Sequence, residues 1–226
     1  MIHVLDNPVW NALSSGNKNL SNGNDKAKYF PKEVSPFVGM EENTPENFEI
    51  LRGIVPAESV SAVISPAEIV IPHSWKIVDY LKVQQMICET PAEQVSDDEP
   101  LIPLGDQHIP AMLALTKLTV PGPFASRTVD FGHYVGVFNG EQLIAMAGQR
   151  LHPYEFAEIS AVCTHPDFIG KGLAKQLLSH HIHRIRASGE IPFLHVKSDN
   201  ARAIKVYEAM GFKTRREMFF YIIKER

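Results

Sequence analysis

The sequence predicts an α+β fold built on a mixed, mostly antiparallel β-sheet flanked by helices. Three observations lead to this class, and all lie in the second half of the 226-residue chain. Asn139-Gly140 separates two apolar stretches, which is the strongest short-range signal for a β-hairpin. A strand-like stretch at Glu155–Thr164 runs through a glycine-bearing loop into a long amphipathic helix. A further strand, helix and strand follow, so antiparallel and parallel connections are expected in one sheet.

The composition is that of an ordinary folded protein, with 44% hydrophobic residues, 21% charged residues and a net charge of -4. These values exclude wholesale disorder and collagen-like structure. No apolar run approaches the ~18 residues of a membrane helix. The first residues lack the features of a signal peptide, and two cysteines do not make a disulfide framework. We therefore expect a cytoplasmic protein that does not contact a membrane.

The charge is distributed unevenly along the chain. Residues 1–100 carry 7 Lys and Arg against 15 Asp and Glu, whereas residues 101–226 carry 15 against 11. An acidic stretch bounded by prolines, Thr90–Pro100, lies between them. We expect it to separate an N-terminal lobe of unknown role, either a degenerate half of the same fold or a lid, from a C-terminal domain. A mildly basic domain suits a small polyanionic ligand better than nucleic acid.

The elements predicted for the N-terminal lobe are short. Asn11–Asp25 is rich in Asn, Ser and Gly without periodicity, which predicts an exposed loop. Pro45–Gly53 has apolar residues at helical spacing and predicts a helix. Strands are predicted at Val60–Ile64, Ile69–Ile71 and Leu81–Cys88.

The C-terminal domain is more regular. Leu101–Leu104 predicts a short strand, and Asp106 can cap a helix that runs to about Lys117. Pro121-Gly122-Pro123 then predicts a rigid loop. Further strands are predicted at His133–Phe138, Gln142–Arg150, Glu155–Thr164, Ile191–Val196 and Met218–Ile223, and helices at about Gly172–Ala187 and Ala201–Met210.

A candidate anion-binding motif follows the strand at Glu155–Thr164. Gly170 and Gly172 open the next helix, and Lys171 adds a cation between them. Glycines allow close approach of backbone N–H groups to phosphate, and a helix N-terminus attracts anions. The segment matches neither the P-loop nor the dinucleotide-binding pattern, whose third glycine position holds Lys175. By spacing alone, a plain strand-to-helix turn explains it equally well.

A second group of residues lies one strand further on. Asn200, Ala203 and Tyr207 share one face of a predicted helix, and a Gly-Phe pair follows. The glycine loop and this pattern together resemble the GNAT-type N-acetyltransferases, which use acetyl-CoA. The resemblance covers about residues 101–226 and is most specific over Phe156–Phe212.

The resemblance implies a GNAT-like fold and a site for acetyl-CoA as acyl donor, with no metal. Ile169 stands where the family has Gln or Arg, so backbone donors and neighbouring lysines would contact more of the pyrophosphate. Asn200 would contact the pantetheine arm, cap its helix, or do both. The implied cofactor-binding residues are Val162, Cys163, Thr164, Ile169, Gly170, Lys171, Gly172, Leu173, Ala174, Lys175, Asn200, Ala203 and Tyr207.

The resemblance also implies a general acid, because Tyr207 would protonate the leaving thiolate. Glu158 is our candidate for the base that deprotonates the amine, since strict alternation would place it on one face with Val162. His195 is the alternative base and a candidate substrate contact. Pro121 and Phe124, in the rigid loop, are the other expected substrate contacts.

The expected reaction is transfer of an acetyl group to a primary amine of a small molecule or peptide, by direct attack in a ternary complex. An acyl-CoA:amino-acid N-acyltransferase and a non-catalytic CoA-binding module are the alternatives, and Ile169 favours the second. We interpret Cys163 as a buried structural residue, and the histidines at 180, 181 and 183 as a solvated helix face. The acceptor and a homodimeric state are left open.

Overall fold

The computed structural model describes residues 3–90 and 100–226. Most of the predicted boundary stretch, residues 91–99, lies outside the described residues. The helices are α1 (Pro8–Ser14), α2 (Pro45–Ile54), α3 (Ile109–Thr119), α4 (Leu173–Ala187) and α5 (Ala201–Ala209). The strands are β1 (Asn22–Gly23), β2 (Ala27–Tyr29), β3 (Val38–Met40), β4 (Val60–Ser65), β5 (Trp75–Ile87), β6 (Ile102–Pro103), β7 (Val135–Asn139), β8 (Gln142–Gln149), β9 (Phe156–Thr164), β10 (Ile191–Lys197) and β11 (Lys213–Glu225).

Eight of these strands form one sheet in the order β4-β11-β5-β10-β9-β8-β7-β6, and β1 to β3 form a small separate sheet. In the large sheet, β9 and β10 run parallel, and the other neighbouring strands run antiparallel. The predicted α+β class with a mixed, mostly antiparallel sheet is thereby confirmed. The predicted hairpin is formed by β7 and β8, and Gly140 in its turn has a left-handed φ of 62°.

The N-terminal part of the chain contributes two strands to the large sheet. β5 lies between β11 and β10, with Leu81 opposite Phe220 and Ile87 opposite Phe193. β4 covers the other side of β11. The division near residue 100 therefore does not separate two sheets. That residues 1–100 are a degenerate half or a lid stays a prediction.

Two predictions for the N-terminal part are wrong. Asn11–Asp25 is not one exposed loop, because α1 extends into it and Asn17 is buried. The Asn17 side chain donates to the Arg150 carbonyl (3.2 Å) and accepts from the His152 N–H (2.8 Å). Ile69–Ile71 forms no strand, because the Ile69 N–H donates to the Tyr221 hydroxyl (3.1 Å) instead of to a neighbouring strand.

Helix α4 is held against the sheet by its apolar stripe. Leu177, Leu178, Ile182 and Ile185 are each at most 1% exposed. Burial of each such side chain contributes roughly 1.5–3 kcal/mol. The start of α4 is therefore placed firmly beside the end of β9. Among the described helices, none has the length and hydrophobicity needed to cross a membrane.

Candidate active site

The candidate site lies where the parallel strands β9 and β10 come apart. Their pairing covers three positions and ends at Glu158 opposite Phe193. β9 also contains a β-bulge, because its partner residues in β8 advance by two, from Met146 to Gly148, while β9 advances by three. A bulge inserts one residue and bends its strand. A cleft consequently opens between the C-terminal halves of β9 and β10.

The bulge changes which face the later residues of β9 use. Ala161 has a left-handed φ of 54°. Ile159 belongs to the buried cluster formed with α4, and Val162 packs against the same cluster although strict alternation would separate them. The predicted placement of Glu158 and Val162 on one face is therefore wrong, because the extra residue shifts the alternation by one.

The cleft has a volume of about 680 Å³. The predicted cofactor-binding residues that line it are Val162, Cys163, Thr164, Ile169, Gly170, Gly172, Leu173, Ala174, Lys175, Asn200, Ala203 and Tyr207. Lys171 is not among the residues that line the cleft, and its Nζ lies over the Phe168 ring, 4.6 Å from the ring centre. The cation predicted between the two glycines is thus directed onto an aromatic ring, and Lys175 lines the cleft instead.

The glycine loop presents the N-terminus of α4 to the cleft. Gly170 and Gly172 have left-handed φ values of 91° and 83°, which glycine adopts without strain. Gly172 immediately precedes the helix and supplies no side-chain cap. The first N–H groups of a helix, here those of Leu173 and Ala174, have no partner within the helix. They and the helix dipole favour an anion at this end of the cleft.

Helix α5 forms the opposite wall and begins at a clear cap. The Asn200 side chain accepts a hydrogen bond from the Ala203 N–H (3.1 Å), the usual arrangement at a helix N-terminus. Asn200 therefore caps its helix and lines the cleft at the same time.

Tyr207 is half-buried on the same helix, with its ring centre 6.1 Å from that of Phe212. Burial, with a smaller contribution from Cys163, raises the pKa of the Tyr207 phenol to about 12. The phenol is therefore protonated at neutral pH.

Glu158 is completely buried and forms an ion pair with Arg150. Arg150 donates to the two carboxylate oxygens from Nε (2.8 Å) and Nη2 (2.6 Å). Burial alone would raise the pKa of Glu158, but Arg150 and His195 hold it at about 2. Glu158 is also absent from the lining of the cleft. The predicted role as general base does not fit this environment, because a carboxylate paired in this way is a very weak proton acceptor.

His195 lines the cleft, but both of its ring nitrogens have partners. Nδ1 lies 2.7 Å from the Glu158 carboxylate, and Nε2 lies 3.1 Å from the amide nitrogen of Gln85. The Gln85 amide oxygen accepts from Arg215 (2.7 Å), which fixes the orientation of the amide. Nε2 is therefore the acceptor and Nδ1 carries the proton, as in a neutral imidazole. The alternative base also lacks an available lone pair.

The predicted substrate loop is divided between the cleft and the core. Pro121 lines the cleft together with Thr119. Phe124 does not line it, because its ring packs edge-on against Tyr134 with centres 5.8 Å apart. Phe124 therefore does not face the cleft as expected, and its contact with a substrate stays a prediction. Phe124 instead packs against the buried hydrophobic core.

The structure also shows the surroundings of Cys163 and of the histidines in α4. Burial raises the pKa of the Cys163 thiol to about 11, which agrees with a structural role. The histidines of α4 do not all form a solvated face, because His181 is fully buried toward the sheet. No group of three or more potential metal ligands occurs in the described ranges.

Known proteins resemble this chain in sequence and in fold. A family model described as FR47-like protein matches residues 134–221. A solved structure from Novosphingobium aromaticivorans DSM 12444, described as a GNAT-family protein, is 31% identical over 100% of both chains, with a TM-score of 0.91. The chain belongs to the GNAT family of acetyltransferases.

Curated GNAT relatives match shorter segments. N-alpha-acetyltransferase RimI of Mycobacterium tuberculosis is 32% identical over 85 residues, which cover 36% of this chain and 52% of the relative. Mycothiol acetyltransferase of Streptomyces scabiei is 29% identical over 109 residues, 47% of this chain and 35% of the relative. The matched segments thus span about half or less of these relatives. A GNAT protein from Kribbella flavida shares the fold over 95% of both chains at 11% identity and a TM-score of 0.63.

Sequence reasoning missed several residues of this GNAT cleft. Arg150 lines its floor, with its guanidinium 4.7 Å from the centre of the Phe37 ring. Leu81 and Val83 of β5 form part of its wall, and Gln85 lies beneath His195. No motif marks these residues. Pairing between distant parts of the chain brings these residues to the site. Only the alternation of side chains between the two faces of β5 could have suggested Leu81, Val83 and Gln85.

Proposed function

We propose that this protein transfers an acetyl group from acetyl-CoA to a primary amine by direct attack in a ternary complex in the cytoplasm. The observation that supports the proposal most is the cleft between β9 and β10, which has an uncapped helix N-terminus at one end and a protonated phenol in its wall. The acceptor is a small-molecule or peptide amine.

The lining of the cleft suits the three parts of acetyl-CoA. The glycine loop and the N-terminus of α4 would hold the pyrophosphate, with Lys175 as the neighbouring cation. Lys197 and Arg202 supply further positive charge along the cleft. The pantetheine arm would lie along residues 162–164, whose backbone no longer pairs with β10 and is available for hydrogen bonds.

Tyr207 would act as the general acid of the reaction. The amine nitrogen attacks the thioester carbon, the carbon–sulfur bond breaks, and the thiolate takes the phenol proton. The amide nitrogen loses one proton, which restores the phenol through solvent. A phenol that is protonated at neutral pH carries the proton that this step requires. It is a weaker acid than a thiol, whose pKa is about 8.5, so its proton moves as the carbon–sulfur bond breaks and charge builds up on sulfur.

Calorimetry and thiol release test the proposal. Acetyl-CoA should bind, and free CoA should form when an amine panel is added. Tyr207→Phe should lower kcat by at least tenfold with little change in acetyl-CoA affinity, whereas Tyr154→Phe, an exposed tyrosine outside the cleft, should not. Absence of acetyl-CoA binding would contradict the proposal, and an unchanged kcat in Tyr207→Phe would remove that residue from the acid role.

A second candidate is a CoA-binding module without acyl transfer. Ile169 favours it, because an apolar side chain that is 46% exposed lines the cleft where the family has a polar one. The two candidates differ in thiol release: a binding module binds acetyl-CoA and releases none. An acyl-CoA:amino-acid N-acyltransferase would instead release CoA faster from longer acyl donors and with free amino acids.

A further inference from the structure

The charged side chains that line the cleft are all cationic. They are Arg150, Lys175, Lys197 and Arg202, and no Asp or Glu of the described ranges joins them. In the ternary complex the three cations other than Arg150 would lie beside the phosphates of acetyl-CoA, and Arg150 is paired with Glu158. A protonated acceptor amine would find no carboxylate in the lining to replace its hydration. The neutral form of the same amine does not meet this cost.

The two side chains that could take a proton from the amine are already engaged. Glu158 is 0% exposed and accepts from Arg150 at 2.8 and 2.6 Å. The His195 side chain is 2% exposed, with Nδ1 donating to Glu158 and Nε2 accepting from Gln85. Neither presents a lone pair to the cleft.

The network behind His195 holds this arrangement in place. Gln85 is fully buried and also donates to the Leu5 carbonyl (2.8 Å). Arg215 donates to Gln85 and to Asp6 (2.6 Å). The charged groups around His195 are therefore Glu158 from β9, Arg150 directly after β8, and the Arg215–Asp6 pair beyond Gln85. Freeing Nε2 of His195 would leave one N–H of the buried Gln85 amide without an acceptor, which is costly.

The other titratable groups in the lining are proton donors at neutral pH. Burial raises the pKa of Tyr207 to about 12 and that of Cys163 to about 11. The lining thus combines cations, proton donors and apolar surface. Such a site is suited to protonating a leaving group and poorly suited to deprotonating an ammonium ion.

We infer that the acceptor reaches this cleft as the free base, so that the protein selects weakly basic amines such as the α-amine of a peptide over lysine-type amines. The inference rests on the proposed acyl transfer and specifies its substrate class. The neutral nitrogen attacks the thioester carbon, the thiolate leaves with one proton, and the amide nitrogen gives one proton to water. Protons balance without a basic side chain of the protein.

The size of the effect follows from ordinary amine basicity. With pKa values near ~7.8 for a peptide α-amine and ~10.4 for lysine, about 30% and about 0.1% are neutral at a pH of about 7.5. If neutral fraction alone decides the rate, the α-amine should have a kcat/KM roughly 250-fold higher at that pH. The ratio should shrink as the pH rises toward the pKa of lysine.

Two matched peptides test the inference. One has a free N-terminus and no lysine, and the other has a blocked N-terminus and one lysine in otherwise the same composition. We expect kcat/KM, measured with saturating acetyl-CoA between pH 6 and 10, to rise tenfold per pH unit up to the pKa of each amine. If kcat/KM for both peptides reached half of its maximum at the same pH, below the pKa of either amine, a base on the protein would be responsible. That result would overturn the inference.

A gain-of-function pair gives a second test. Leu81 is half-buried, lies opposite Phe220 and lines the cleft with it. Leu81→Glu introduces the missing carboxylate, and Leu81→Gln is its uncharged control. Leu81→Glu should raise the lysine-peptide rate relative to the α-amine-peptide rate at least fivefold over Leu81→Gln. Equal ratios in the two variants would contradict the inference.

Failure of this inference can be told apart from failure of the proposed function. If acetyl-CoA binds and amines are acetylated with one shared pH profile, acyl transfer stands and the free-base selection is wrong. If acetyl-CoA binds but no amine in the panel releases CoA, both are wrong.

Discussion

Nδ1 of His195 lies 2.7 Å from Oε1 of Glu158, so two residues that are 37 positions apart form one buried hydrogen bond at the floor of the cleft. The same carboxylate binds Arg150 through both oxygens. This arrangement makes Glu158 a positioning residue for Arg150 and His195. The predictions below concern this network, the start of α4 and the buried His181.

Glu158→Gln should destabilise the protein by about 3–5 kcal/mol, because it leaves the nine-tenths buried Arg150 cation without its partner. Urea unfolding measures the change. The double variant Glu158→Leu/Arg150→Met removes both charges and should recover most of the loss. A single variant as stable as the unsubstituted protein would show that the ion pair contributes little.

Acid should destabilise the fold in a window set by Glu158. Its pKa lies at about 2, below the ordinary value of 4.5, so its contribution is complete above about 4.5 and is lost as the pH falls toward 2. Unfolding free energy measured between pH 6 and 2 should show this decline. In the double variant without the ion pair, the decline over that window should be smaller.

His181 should give a separate pH dependence. Burial lowers its pKa from 6.5 to about 3, so the folded state holds it neutral while the unfolded state binds a proton. Its stabilising contribution is present above about 6.5 and declines as the pH falls through that value. His181→Leu should flatten the stability profile between pH 6.5 and 4.5, whereas exposed His73→Asn should leave it unchanged.

Gly172 should be sensitive to alanine although it has open space around it. An added Cβ would meet no atom within 4 Å, but the φ of 83° is unfavourable for alanine by about 1–2 kcal/mol. Gly172→Ala should lower stability by this amount and weaken acetyl-CoA binding. Gly53→Ala, inside α2 with equally open space and an ordinary φ, should instead raise stability by about 0.5–1 kcal/mol.

Gln85 should control the tautomer of His195. Nitrogen-15 NMR of the imidazole should show the proton on Nδ1 in the unsubstituted protein. Gln85→Glu replaces the donor at Nε2 by an acceptor, so the signals should then show a proton on Nε2 as well as on Nδ1. Gln84→Glu, one position along the same strand, should leave the His195 signals unchanged. Unaltered signals in Gln85→Glu would contradict the proton assignment.

Local patterns predicted much of the C-terminal region. The Asn139-Gly140 turn, the glycine loop before α4 and the Asn200 cap each depend on a few neighbouring residues, and each is found as predicted. Lys171 shows the limit of such patterns, because its Nζ lies over the Phe168 ring and the residue is not part of the cleft lining.

The predicted placement of Glu158 beside Val162 is wrong for a different reason. Strict alternation along β9 places Glu158 beside Val162, but one extra residue at Ala161 reverses the faces. The bulge depends on the pairing of β9 with β8, so no pattern within β9 alone predicts it.

The sequence by itself determined the fold class, the GNAT resemblance, the glycine loop and the phenol of Tyr207, because these depend on residues close together in the chain. The tertiary structure decided that β5 lies within the sheet, that Arg150 lines the cleft with Gln85 behind His195, and that Glu158 and His195 bind each other, Arg150 and Gln85. The reason is physical: strand pairing and burial join residues far apart in the chain, and burial together with charge pairing then sets which groups can exchange a proton.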